Sequence, residues 1–329
     1  MIDKYLPLYL ITFVLSFSIT VLCENILIPI LKTGAKQPIY AEGPKWHLSK
    51  SGTPTMGGLA FLIAVTLSLI VASLPLFGRA EKQSLISLYL CLGFSVLNAI
   101  IGVVDDASKL KKRENKGLTA LQKILLQSIV SLLFLFGRTA FIENATTIYF
   151  SFGELDIGWL YYPVGLFILL GITNCANLTD GIDGLAGSVA FSIGISLFYI
   201  SSVVSLEVSI LSSSIIGATL GFLIFNLHPA KIFMGDTGSL FLGSLVVSGI
   251  FALGNPILSI ILGIVYVIEG FSVVIQVLVY KATKKRVFKM APLHHHLEKC
   301  GWSENRICIV GMIITFLIGI SAYIIYLPK

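Results

Sequence analysis

Ten stretches of the chain, at about 5–31, 56–77, 85–104, 118–136, 159–173, 185–201, 206–225, 239–253, 256–279 and 307–327, are apolar and nearly free of charge. An apolar helix of about 20 residues spans the hydrocarbon core of a bilayer. Within that core a helix pairs its own backbone N–H and C=O groups, which no open sheet can do. The pattern predicts an all-α integral membrane protein of about ten transmembrane helices. Composition agrees, with 56% of the 329 residues hydrophobic and 12% charged, about half the charged share of a soluble domain. Mean hydropathy is +0.91. No internal repeat, low-complexity tract or long linker divides the sequence, so residues 1–329 read as a single polytopic domain. The first apolar run exceeds a signal-peptide core and lacks a small-residue cleavage site, which makes it a first span. The five cysteines form no CxxC pair and mostly sit in apolar runs, as buried thiols do.

The net charge of +6 is informative through its placement, because Lys and Arg are retained on the cytoplasmic side of a membrane. The segments after the first, third, fifth, seventh and ninth runs, with the adjacent Lys123, hold 18 of the 23 cations, among them Lys32, Lys36, Lys45, Lys50, Lys109, Arg113, Lys116, Lys231 and Lys285. The opposite side, with both termini, holds Lys4, Arg79, Lys82, Arg138 and Lys329. Both termini are therefore expected outside, with membrane lipids and no nucleic acid as partners. The outer segment 137–158 contains TIYFSFGELDIG, which alternates around a glycine and suggests a small β-hairpin.

Ionisable groups at the ends of spans call for a partner or a task, and here they collect on one side. The odd-numbered loops hold five of the seven aspartates and all five histidines. Asp105 and Asp106 close the third run. Adjacent helical residues do not share a face, so one carboxylate would suit a metal and the other a substrate or cation, unless the pair is simply a solvated helix end. Asn177-Leu-Thr-Asp180-Gly-Ile-Asp183-Gly places two carboxylates three apart, on one face of a helical turn, with glycines that admit a close ligand; an Asx-rich turn is the plain alternative. Asn226 and Phe233 precede Gly235-Asp236-Thr237-Gly238-Ser239, which reads as a helix N-terminus with Thr237 or Ser239 capping and free amides facing an anion. Asp236 is a hard oxygen ligand suited to Mg²⁺. Phe233 could stack on a planar base or be an ordinary membrane-facing or core aromatic. His294, His295 and His296 lie in a cation-rich loop and point apart on any regular element, which favours phosphate contacts over a zinc site. Lys50 opens a flexible Gly-rich loop that includes Thr55, before the second run. Carboxylates for metal, Lys and His for oxyanion charge and glycines for close approach are what phosphoryl transfer requires. The residues alone support a membrane phosphotransferase.

Asp105-Asp106, Asn177-Leu-Thr-Asp180-Gly-Ile-Asp183-Gly-Leu-Ala, Gly235-Asp236-Thr-Gly-Ser and Pro292-Leu-His294-His295-His296 together resemble the polyprenyl-phosphate N-acetylhexosamine-1-phosphate transferases, in consistent order from about residue 32 to 306. Gly52-Thr-Pro-Thr-Met-Gly-Gly58 and the triple histidine resemble the branch of that family that handles a muramoyl pentapeptide. The resemblance implies ten transmembrane helices and transfer of phospho-MurNAc-pentapeptide from UDP-MurNAc-pentapeptide to undecaprenyl phosphate. The products would be lipid I and UMP, made for peptidoglycan synthesis at the cytoplasmic face of a bacterial inner membrane. It also implies Mg²⁺ on Asp236, an essential Asp105-Asp106 pair near the phosphates, and an essential His294 supported by His295 and His296. Asp180, Asp183, Asn226 and Phe233 would shape the nucleotide pocket, and Lys50, Lys109 and Lys123 would hold phosphate charge. Thr55, Asn177 and Gly235 lie within the matched motifs as further substrate contacts. Leu297 departs from the aromatic expected after the histidines.

The implied chemistry is attack of the lipid phosphate on the β-phosphate of the sugar nucleotide, with UMP leaving; a covalent aspartyl-phosphate through Asp105 or Asp106 is the two-step variant. A sibling enzyme using UDP-GlcNAc is the nearest alternative, disfavoured by the triple histidine. A secondary transporter would lean on Glu269 and the short eighth and ninth runs, but repeat symmetry is lacking. The sequence leaves a homodimer open.

Overall fold

A computed structural model describes residues 2–34, 50, 52–77, 82–112 and 117–326. Lys36, Lys45, Arg79, Arg113, Lys116 and Lys329, which enter the expectations above, and His47, one of the five histidines, lie outside the described residues. The described chain forms twelve α-helices and one two-stranded sheet. The helices are α1 (Ile2–Gly34), α2 (Gly58–Ser73), α3 (Lys82–Lys112), α4 (Ala120–Phe141), α5 (Tyr161–Thr179), α6 (Leu185–Ser201), α7 (Leu206–Asn226), α8 (Gly235–Ala252), α9 (Leu258–Leu262), α10 (Ile264–Thr283), α11 (Leu293–Lys299) and α12 (Glu304–Tyr326).

Nine of these are long and apolar enough to cross a membrane, and α6, at 17 residues, is a shorter apolar helix. Together they correspond to the ten apolar runs, and the chain is an all-α multi-pass membrane protein. The hairpin forms as β1 (Thr147–Phe150) paired antiparallel with β2 (Gly153–Asp156), Phe150 opposite Gly153.

Three boundaries differ from the sequence expectation. The ninth run breaks at Gly263 into α9 and α10. Helix α3 continues past the aspartates to Lys112, because Lys109 lies one turn on and pairs with Asp105 at 2.6 Å. The histidines, expected in a loop, begin the short helix α11.

Burial sets the layering. In the most apolar window of each helix, 83% of residues are buried in α7 and α8, against 22% in α1, 28% in α4 and α10, and 33% in α12. Helices α7 and α8 are thus at the centre of the bundle, with α6 also largely buried, and α1, α10 and α12 turn apolar residues such as Leu10, Val14, Phe271 and Leu317 outward, as lipid-facing helices do. Helix α8 packs on α2, α3, α5 and α6. Small residues permit that approach. A Cβ on Gly58 would lie 2.2 Å from the Gly238 backbone, and one on Gly102 would lie 2.4 Å from the Asp236 carbonyl oxygen. Helices α2 and α3 are thereby held against the first turn of α8, where the aspartates gather.

Candidate active site

Asp106 and Asp105 serve one cluster although they are adjacent on α3. The Asp106 carboxylate accepts from the backbone amides of Asp236 (3.1 Å) and Thr237 (2.9 Å) and from the Thr237 hydroxyl (2.7 Å). It therefore caps α8 from a neighbouring helix, with its negative charge at the positive end of the helix dipole. This corrects the expected cap: Thr237 donates to Asp106, Ser239 donates to its own Gly235 carbonyl at 3.0 Å, and Met234 at the cap position contributes no side chain. Gly235, at φ +70°, has no room for a side chain, because a Cβ would lie 2.6 Å from Asp106 Oδ2 and 2.9 Å from the buried Thr55 hydroxyl.

Asp105 accepts from the Leu118 amide at 2.7 Å through Oδ1. Its Oδ2 is ion-paired with Lys109 at 2.6 Å and Lys123 at 3.2 Å, without a directed hydrogen bond. Lys123 lies in the first turn of α4, whose start is fixed by a Thr119–Gln122 capping box. Both ammonium groups also reach Asp236 Oδ2, Lys109 at 2.9 Å and Lys123 in a short contact. Asp236 Oδ1 accepts from Asn177 Nδ2 at 2.9 Å. One oxygen from each of Asp105, Asp106 and Asp236 lies within 4.8 Å of the others. Three convergent hard oxygens, one of them buried and lacking a directed donor, fit a divalent metal, and two flanking ammonium groups suit phosphate charge.

A second cluster lies where the chain enters α2, α6 and α12. Lys50 pairs with Asp183 (2.7 Å) and Glu304 (2.6 Å), and His228 Nδ1 lies 2.9 Å from Asp183. Glu304 also accepts from the Asp183 amide at 2.8 Å. Asn226 clamps the same turn, accepting from the Gly184 amide (3.0 Å) and donating to the Ile232 carbonyl (2.9 Å). Phe233 is half-buried, and its main chain joins this region to the Gly-rich loop: its amide donates to Pro54 at 2.9 Å and its carbonyl accepts from Gly57 at 2.9 Å. The loop expected to be flexible is pinned at Pro54–Gly58 by these bonds.

Asp180 and Asp183 do not share a face. Helix α5 ends at Thr179, so both fall in the following turn; Asp183 joins the Lys50 cluster, and no side-chain hydrogen bond ties Asp180 to another described residue. Burial, reinforced by the carboxylates of Asp236, Asp106 and Asp183, pushes the Asp180 carboxyl well above the ordinary range against the opposing charge of Lys50. Asp180 thus stands between the two clusters electrostatically.

The histidines diverge as their spacing requires. His294 Nδ1 lies 3.0 Å from Glu269 Oε2, His295 Nδ1 lies 2.7 Å from Glu298 Oε2, and His296 Nδ1 accepts from the Lys289 amide at 3.1 Å. Leu297 packs against the core beside Trp302, whose amide donates to the Leu297 carbonyl at 3.1 Å.

The structure thus unites Asp105, Asp106, Lys109, Lys123, Asn177, Gly235 and Asp236, and sets Lys50, Asp183 and Asn226 in a neighbouring cluster. Glu304, and Glu269 as the partner of His294, escape sequence reasoning. The only signal for Glu304 is an acid opening the last helix. Glu269, on which a transporter reading leans, is occupied with His294.

A family model described as glycosyl transferase family 4 matches residues 87–254. A phospho-N-acetylmuramoyl-pentapeptide-transferase signature matches residues 50–62. The chain is 44% identical over 315 residues to the phospho-N-acetylmuramoyl-pentapeptide-transferase of Halalkalibacterium halodurans, covering 94% of this chain and 95% of the relative. The proteins of the same name from Clostridium perfringens (41% over 319 residues, 96% of each chain) and Bacillus subtilis (42% over 304 residues, 91% and 92%) are similar to it along nearly their whole length.

Proposed function

The chain belongs to the phospho-N-acetylmuramoyl-pentapeptide-transferase family, and from that premise we propose that it transfers phospho-MurNAc-pentapeptide from UDP-MurNAc-pentapeptide to undecaprenyl phosphate, releasing UMP and forming lipid I. The observation that carries this reading is the convergence of three carboxylates and two lysines at one end of the bundle. Asp236, with Asp105 and Asp106 beside it, would hold Mg²⁺. The ion supplies charge neutralisation at phosphate oxygens.

Lys109 and Lys123 bind the phosphates and offset charge as the new bond from the lipid phosphate oxygen to the β-phosphorus forms and the bond to UMP breaks. The lipid phosphate is already largely ionised near neutral pH, so no strong base is needed. Asp106 holds the first turn of α8 so that Asp236 keeps its orientation. Asp180, Asp183, Asn226 and Phe233 would shape the nucleotide pocket, with Lys50 ordering Asp183, and His294 would complete the substrate contacts with His295 and His296 alongside. The chain would work as one membrane domain in the bacterial inner membrane, both termini outside and the site at the cytoplasmic face.

The test is UMP release by detergent-purified protein given undecaprenyl phosphate with either UDP-MurNAc-pentapeptide or UDP-GlcNAc. Release with the muramoyl substrate alone is expected. Release with UDP-GlcNAc alone would move the chain to the sibling activity, and release with neither would refute the transferase reading.

A further inference from the structure

One oxygen of Glu269 grips His294 twice. Oε2 accepts from the His294 backbone amide at 3.2 Å and lies 3.0 Å from its Nδ1, joining α10 to the first turn of α11. Both side chains are buried, His294 fully and Glu269 at 5% exposure. An oxygen already accepting from a main-chain amide pairs with Nδ1 when that nitrogen carries the ring proton. A ring whose one proton sits on Nδ1 keeps its lone pair on Nε2.

Nε2 is buried and has no hydrogen-bond partner among the described residues. It lies against Gly181, where a Cβ would be 2.2 Å away, so the residue next to Asp180 must be glycine for the ring to sit there. A buried nitrogen left without a partner is costly, by about 1–3 kcal/mol, and such groups persist where a ligand satisfies them.

We propose that Glu269 is the positioning residue for His294, fixing its orientation and its Nδ1–H tautomer so that Nε2 faces the Asp180–Gly181 turn as the acceptor for an O–H donor of the bound substrate. The inference rests on His294 belonging to the transferase site. Glu269 itself touches no substrate and acts only through the ring.

The test combines ring spectroscopy with kinetics on the full-length purified chain. In protein labelled with ¹⁵N-histidine, with His294→Ala used for assignment, the His294 resonances should show protonated Nδ1 and unprotonated Nε2, and Glu269→Met should abolish that tautomer preference. Glu269→Met should also lower kcat on the order of a hundredfold, the scale of a misplaced catalytic group, with the KM for the sugar nucleotide nearly unchanged. Glu269→Asp should recover part of the loss. On a His294→Ala background, Glu269→Met should cost nothing more, since positioning through a ring that is gone has no effect.

A folded Glu269→Met protein with wild-type kcat and tautomer would overturn the proposal. So would an equal further loss on the His294→Ala background. Should the wild-type chain release no UMP at all, the transferase reading fails, while the ¹⁵N spectra of the resting protein still decide whether Glu269 sets the tautomer.

Discussion

Asp106 spends both carboxylate oxygens on the first turn of α8. Asp106→Asn turns one oxygen into an N–H₂ donor facing donors, so loss of the cap should cost about 1–3 kcal/mol, read as a lower Tm in detergent; an unchanged Tm would refute the capping role. Asp180 yields a pH-dependent prediction. Its folded pKa is raised, so folding favours the protonated form, and the protein loses stability as pH rises from the ordinary carboxylate range through the raised value. Asp180→Asn should therefore raise Tm at neutral and alkaline pH, with the gain vanishing in acid. A gain that grew toward acid would contradict this sign. At this scale the sequence was informative about residue types and poor about partners. Asp236 stood out as a hard-oxygen metal ligand because carboxylates are scarce in an apolar chain, whereas Lys109 and Lys123 entered as phosphate partners only through the family resemblance. The Asp106 cap was not, because 130 residues separate it from the amides it serves.

Among the elements, the apolar runs anticipated ten helices because the bilayer fixes their length. Breaks inside them depend on packing: Gly263 divides α9 from α10, and α3 outlasts its apolar stretch because Lys109 and Asp105 pair one turn apart. The hairpin was legible from local alternation, whereas α11 was hidden because its first turn depends on Glu269, 25 residues upstream. Lys50 makes an element-scale test. It ties the entry to α2 to Asp183 before α6 and to Glu304 at the start of α12. Lys50→Met would leave two facing carboxylates without their cation, and with Lys50 15% exposed the cost should be about 1–3 kcal/mol, below that of a fully buried pair. Adding Glu304→Gln should restore part of the lost Tm. No recovery would show that the cluster does not act as a charge-balanced tie.

For the whole molecule, the central α7 and α8 and the lipid-facing outer helices present the acidic clusters at one end, while the hairpin joins elements at the opposite ends of α4 and α5. On the cation distribution we propose that the clustered end faces the cytoplasm. Single cysteines at exposed Asn144 and Lys284, in a background without Cys300, test this: a membrane-impermeant maleimide should label position 144 in intact spheroplasts and position 284 only after lysis. The reverse pattern would invert the topology. The most direct test is lipid I formation by the purified chain, with Mg²⁺ removed by chelation and then restored, for the wild type and Asp236→Asn. Wild-type turnover should disappear with the metal and return with it, and the variant should stay inactive at every Mg²⁺ concentration. Full turnover in chelator, or a variant as active as the wild type, would contradict the assignment of the Asp105–Asp106–Asp236 cluster as the metal-dependent transfer centre.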